Sequence, residues 1–193
     1  ALMGAEVIKI ERPGDGDWTR SGGADADLAK AQMGLPYPTQ NANKKSVTLD
    51  LKQERGRAVL QRMLSSCDVF LEKFRPGAMS TLGFSFEQVR QFRPDIVYCS
   101  ISGYGRTGPM SDKPGYDLII QAYSGLMHLT GEPDGTPLRV GFSLVDLFTG
   151  MMAYGSIMTA IYNRDKTGKG QWIEAALLDG QVATMSYHGT GYM

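Results

Sequence analysis

Asp146 is the residue in this chain whose setting most suggests chemistry. It is the sole acidic residue between Asp134 and Asp165, and Leu144, Val145, Leu147 and Phe148 flank it where a long apolar helical pattern begins. A carboxylate so placed can be a first-turn acid that satisfies helix amides. It can equally be a partly desolvated nucleophile or base, and the two roles are compatible. A second motif, Gly103-Tyr-Gly105-Arg-Thr-Gly108, has the glycine spacing of a dinucleotide loop directly after a strand pattern. That loop works only if its third glycine opens a helix whose amides hold pyrophosphate. Here Pro109-Met-Ser-Asp-Lys-Pro114 follows, which cannot make the first turns of a helix, so a nicotinamide or flavin site is not expected. His128 and His188 stand far apart without carboxylate or thiol partners at ligand spacing, so no metal site is expected. His128, in an apolar stretch, reads as a structural histidine. There is no Gly-x-Ser-x-Gly elbow.

The elements that must position these residues show in the hydrophobic periodicity. Strands are predicted over Glu6–Glu11, Ser46–Leu51, Val69–Glu72, Ile96–Ser102 and Gln171–Ala176. Helices are predicted over Gln53–Ser66, Ser85–Phe92, Tyr116–Thr130 and Leu144–Arg164. The alternation implies an α/β fold, a Rossmann-like parallel sheet with helices on both faces, in which strand two, the first long helix and strand three make a βαβ unit. Residues 13–45 carry no period, and so long a loop is usually functional or wraps another surface.

Composition narrows the partners. Twenty basic and twenty acidic residues cancel, and no basic block exceeds Lys44-Lys45, which argues against nucleic acid or an anionic membrane. No apolar run approaches the roughly 20 residues of a membrane span. The opening ALMGAEVIKIERPG lacks the regions of a secretory leader. Cys67 and Cys99 lie in apolar runs and read as buried reduced thiols, so a cytoplasmic setting is expected. The chain starts on what reads as a helix tail and stops without a charged end. A piece of a longer protein, incomplete at both ends, is the expectation.

Five stretches, GAEVIKIERPGDGDWTR, NANKKSVTLDLKQERGR, FRPGAMSTLGFSFEQVRQFRPDIVYCSISGYGRTGP, GYDLIIQAYSGLMHLTGEPDGTPLRVG and DLFTGMMAYGSIMTAIYNRDKTGKGQWIEAALLDG, occur in order and together resemble the class III CoA-transferases. That family includes formyl-CoA and carnitine CoA-transferases and the 2-methylacyl-CoA racemases. Its members are longer and form interlocked homodimers. The resemblance implies a large Rossmann-like domain over residues 1–180, lacking its first strand, and the start of a connection to a small domain over 181–193. That small domain carries a glycine-rich active-site loop. Acyl-CoA and a small carboxylic acid are then the substrates, with no permanently bound cofactor.

By the same resemblance Asp146 matches the nucleophile that forms an aspartyl-CoA thioester. Arg12 matches a residue at the nucleotide end of CoA. Leu49, Asp50, Leu51 and Lys52 match the lining of the adenosine pocket, and Phe74 and Arg75 match the loop beside the cofactor. Tyr116 and Asp117 match the segment near the thioester. Lys73 stands where many relatives have Asn, and Thr81 where many have Arg; Lys73 is expected to keep a cation near the CoA phosphates. A racemase needs a second acid/base group, which the family supplies as a His thirty positions before the Asp. Here 146 − 30 gives Tyr116. A phenol of reference pKa about 10 is a poor base for a thioester α-carbon, which favours CoA transfer over racemization. A CoA-binding piece without activity of its own is the third reading.

Overall fold

The computed structural model describes residues 1–191 and divides into two compact units, Ala1–Met63 and Leu64–Met193. In the first, β1 (Val7–Glu11) and β2 (Lys44–Thr48) pair in parallel, from Val7 opposite Lys44 to Glu11 opposite Thr48. The aperiodic segment between them is not a bare loop. It holds a 3-10 turn, Trp18–Ser21, and the short helices α1 (Ala26–Lys30) and α2 (Pro36–Asn41). Asp17 and Asp25 cap the turn and α1 by accepting amide hydrogen bonds, and Pro36 opens α2.

What orders this segment is polar rather than periodic. Glu11, buried at the end of β1, accepts hydrogen bonds from Arg20 (2.7 and 2.9 Å), Ser46 (2.7 Å), Tyr37 (3.0 Å) and the Asp17 amide (2.9 Å). The Arg20 guanidinium lies 3.7 Å above the Tyr37 ring. Arg20 above all, then Ser46, the Asp17 amide and Tyr37, hold the Glu11 carboxyl far below the ordinary carboxylate range against the cost of burial. Helix α3 (Glu54–Leu64) follows β2, with Leu60 and Leu64 buried one turn apart.

The second unit is a three-stranded parallel sheet in the order β3 (Val69–Glu72), β4 (Val97–Ser102), β5 (Gln171–Ala176). The α/β class with parallel strands and helices holds. The predicted βαβ unit does not, because β2 pairs with β1 and β3 with β4. A helix between two strands specifies a crossover, but sheet-level pairing decides whether those strands become neighbours.

Central β4 alternates its side chains between two cores. Val97 and Cys99 pack with Ile173 against Ala153 and Ala160 of α8 (Leu144–Thr167). On the opposite face Tyr98 meets Phe70 edge-on at 5.1 Å and Phe86 at 5.9 Å, and its hydroxyl donates to the Phe84 carbonyl at 2.9 Å. Phe86 belongs to α5 (Phe86–Arg90), which follows the one-turn α4 (Ala78–Thr81) and starts with a Ser85/Gln88 capping box. Helix α8 is long and apolar enough, with a mean hydropathy of 1.4, to cross a membrane by length and composition. That corrects the expectation of no span-length apolar stretch. In this fold it lies on β4 and β5 instead, through alanines that admit close packing.

The predicted helix over Tyr116–Thr130 is two helices, α6 (Asp117–Tyr123) and α7 (Leu126–Leu129), parted where Gly125 turns left-handed at φ 86°. Helices α9 (Leu177–Thr184) and α10 (Ser186–Gly191) were not anticipated. Gly180 weakens the helical signal, yet it sits where a Cβ would come within 3.2 Å of Thr149 on α8, so packing selects it.

Candidate active site

Asp146 occupies the third position of α8, yet it does not cap that helix. Ser143, at the N-cap position, makes no side-chain cap bond. Asp117 does so from 28 and 29 residues earlier: its Oδ1 accepts from the Val145 amide at 2.8 Å and the Asp146 amide at 3.2 Å. Those are the amides a local cap would satisfy. The other Asp117 oxygen accepts from Gln121 Nε2 at 2.6 Å. Gln121 is 1% exposed, accepts from the Val140 amide at 2.9 Å and donates to the Phe142 carbonyl at 3.4 Å. Helix α6, the segment before α8 and the start of α8 are thus joined through one Asp–Gln pair. Asp117 was expected beside CoA; its carboxylate is engaged in holding the helix that carries Asp146.

Freed from capping, the Asp146 carboxylate is 41% exposed and its Oδ1 lies 3.6 Å from Lys73 Nζ. It is therefore less desolvated than its apolar sequence neighbours suggest, because Leu147 beside it is itself exposed. Lys73, expected near the CoA phosphates, pairs with Asp146. The turn that carries it is pinned from below. Glu72 is buried, accepts from the Phe74 amide at 2.8 Å and pairs with Arg106 at 3.5 Å. The Arg106 guanidinium in turn lies 5.0 Å from the Trp172 ring centre. Phe74 and Arg75 are exposed on this turn.

Tyr116 stands at the N-cap of α6, 66% exposed. The glycine motif explains its position: a Cβ on Gly103 would lie 2.5 Å from the Gly115 Cα. The glycines allow the chain leaving β4 to touch the chain entering α6. Their role is backbone approach, and no helix follows Gly108.

In the first unit Arg12 and Leu49–Lys52 come together at the carboxyl end of the β1–β2 pair, where open parallel sheets place ligands. Strand β2 stops at Thr48, so Leu49–Lys52 are turn rather than strand. Asp50 Oδ1 accepts from the Lys52 amide at 3.0 Å, and Arg57 donates to the carbonyls of Leu51 (3.2 Å) and Lys52 (2.9 Å). Asp50 closes its own turn, a reason for an Asp here independent of any ligand. Arg12 is mostly exposed, with Asp15 3.3 Å away.

The CoA-transferase family III model matches residues 1–193. The chain belongs to CoA-transferase family III. It is 46% identical to mouse succinyl-CoA:glutarate CoA-transferase over 99% of this chain and 43% of that protein. It is 43% identical to the Acetobacter aceti acetyl-CoA:oxalate CoA-transferase over 96% of this chain and 47% of that protein. A crystal structure of a CaiB/BaiF family protein from Brucella suis superposes with a TM-score of 0.88 at 35% identity, over 98% of this chain and 50% of that one. The chain thus spans about half the length of the relatives it matches.

The structure adds three residues to those the sequence pointed to. Glu72, Arg106 and Gln121 hold the Lys73 turn and the start of α8. For Glu72 a signal existed, an acid closing an otherwise apolar strand in Val69–Glu72. Arg106 gave none, since Glu72 lies 34 residues away; Gln121 stands one helical turn after Asp117, a spacing that could have marked the pair. Among the described residues no His, Cys, Asp or Glu cluster could hold a metal. The thiols are Cys99, which is fully buried and pushed up to about 11 by burial and the Glu72 charge, and Cys67, which is only partly buried, contrary to expectation. His128 is exposed rather than packed in a core.

Proposed function

We propose that this chain is the nucleophile-bearing part of an acyl-CoA:carboxylate CoA-transferase. The observation that carries the reading is the division of labour at α8. Asp117 takes the helix amides, and Asp146 keeps a half-exposed carboxylate facing the Lys73 ammonium. A carboxylate with its lone pairs free can attack a thioester carbonyl. The acyl group then forms a mixed anhydride with Asp146 and CoA leaves as thiolate. The thiolate returns to the aspartyl carbonyl, giving an aspartyl-CoA thioester and the released acid. An acceptor carboxylate attacks that thioester, and the expelled thiolate takes the new acyl group, restoring Asp146. Covalent catalysis here divides one exchange into steps between comparably activated species.

In this reading Arg12 and the turn Leu49–Lys52 supply contacts to the nucleotide end of CoA, suited to phosphate by the Arg fork. Phe74 and Arg75 line its path, and Tyr116 lies near the thioester. The curated relatives act on succinyl-CoA with glutarate and on acetyl-CoA with oxalate, as their names state. A short dicarboxylate is therefore our proposed acceptor. Residues 1–180 are taken as the large domain and 181–193 as the start of a connection to a further domain, in a homodimeric enzyme of the relatives' length. Incubating that enzyme with acyl-CoA and hydroxylamine, then mapping the modified residue by mass, tests the reading. Hydroxamate on Asp146 is expected; a labelled enzyme with Asp146 untouched overturns it.

A further inference from the structure

Along the proposed course a single negative charge is present at every stage and only changes place. It begins on the Asp146 carboxylate. When Asp146 Oδ adds to the acyl carbonyl and the C–S bond breaks, the electron pair leaves with sulfur, so Asp146 becomes neutral as an anhydride and the thiolate carries the charge. When the thiolate adds to the aspartyl carbonyl and the anhydride C–O bond breaks, the charge departs on the released carboxylate. No proton, oxidant or reductant is consumed.

Lys73 is the cation placed to accompany that charge. Its Nζ is 3.6 Å from Asp146 Oδ1 and its side chain is 56% exposed, while the Glu72 bond to the Phe74 amide anchors the backbone beneath it. The result is an anchored backbone carrying an exposed ammonium. Arg106 is occupied by Glu72 and Trp172, so among the described residues Lys73 is the cation that pairs with Asp146. A half-exposed ion pair is weak enough to open for substrate. An ammonium on a flexible stem follows a moving anion, where an Arg fork would hold one carboxylate bidentately.

We propose that Lys73 is a catalytic residue, the counter-ion first of the Asp146 carboxylate, next of the CoA thiolate and then of the released acid. This rests on Asp146 being the nucleophile.

The test compares wild type with Lys73→Met, Lys73→Gln and Lys73→Ala in the full-length enzyme, following hydroxylamine-trapped Asp146 in a single turnover. All three variants are neutral, so that misfolding of one leaves the others to be read. The expected result is an about 10- to 100-fold slower modification of Asp146. KM and the affinity for free CoA should stay within about twofold, and methylammonium should restore part of the rate to Lys73→Ala. An unchanged modification rate overturns the proposal. So does a loss confined to KM or CoA affinity, which would return Lys73 to a phosphate-binding role. No modification of Asp146 in wild type would instead remove the nucleophile, and the transferase mechanism with it.

Discussion

Glu11 and Asp146 are both carboxylates with a cation beside them, one in each unit, and the structure uses them in opposite ways. Glu11 is buried and saturated by Arg20, Tyr37, Ser46 and the Asp17 amide. Asp146 is half-exposed, faces one exposed Lys73, and has been relieved of its helix amides by Asp117. A carboxylate whose lone pairs are all engaged in a closed network is a fastening, because attack on an electrophile would break several bonds at once. A carboxylate held by its backbone, with its oxygens open, can react. Partner count and exposure, rather than charge, separate the structural acid from the one we propose to react.

The sharpest way to break the comparison is Asp146→Asn in the full-length enzyme. Turnover should fall by at least about three orders of magnitude, as for loss of a covalent nucleophile, while the thermal midpoint stays close to wild type. Residual transfer within tenfold of wild type would remove Asp146 from the chemistry.

Glu11→Gln should do the reverse. Removing one member of a buried charged network costs about 2–4 kcal/mol of stability, read by urea unfolding, with kcat in the folded fraction unchanged. The same residue sets a pH dependence. Its folded-state carboxyl is depressed from the ordinary 4.5, so below that value the unfolded chain binds the proton more readily than the native one. Stability is therefore fully present above about pH 4.5 and falls as pH is lowered toward the native value. Glu11→Gln should flatten this acid limb. An unchanged acid limb would show that other groups govern it.

Gln121→Leu sharpens the comparison from the side of support. It leaves the Val140 amide and the Phe142 carbonyl without their partner and loosens Asp117, for about 1–3 kcal/mol of destabilisation. It should also lower kcat more than it raises KM, because the start of α8 carries Asp146. A stability loss with kcat untouched would confine the pair to fold maintenance.

The smallest effect belongs to Arg12→Ala. An exposed charge-assisted contact is worth about 1 kcal/mol, so CoA should bind several-fold more weakly by calorimetry while turnover at saturation persists. Unchanged affinity would make Arg12 an ordinary surface residue.

Most elements were legible because burial period and turn residues act locally. Val69–Glu72 and Gln171–Ala176 match their predicted bounds, and Gly168 ends α8 in a left-handed cap. The failures lie where local signals conflict. A glycine splits α6 from α7, another hides α9, and the ordered segment between β1 and β2 is held by a polar network that no periodicity reveals. Asp146 stood out as an isolated acid in an apolar helix, and the family resemblance rather than that setting made it the candidate nucleophile.

What the sequence determined by itself is the α/β class, the main strands and long helices, the family, and which carboxylate to examine. All of these depend on residue type and short spacing. Only the tertiary structure decided that Asp117 caps a helix 28 residues away, that Gln121 steadies it, and that Lys73 crosses from the end of β3 to Asp146. Apart from the Asp117–Gln121 bond, which spans one helical turn, those assignments hang on contacts between segments remote in sequence. Such contacts exist only once strand order and helix packing have brought the segments together, and neither propensity nor spacing carries that information.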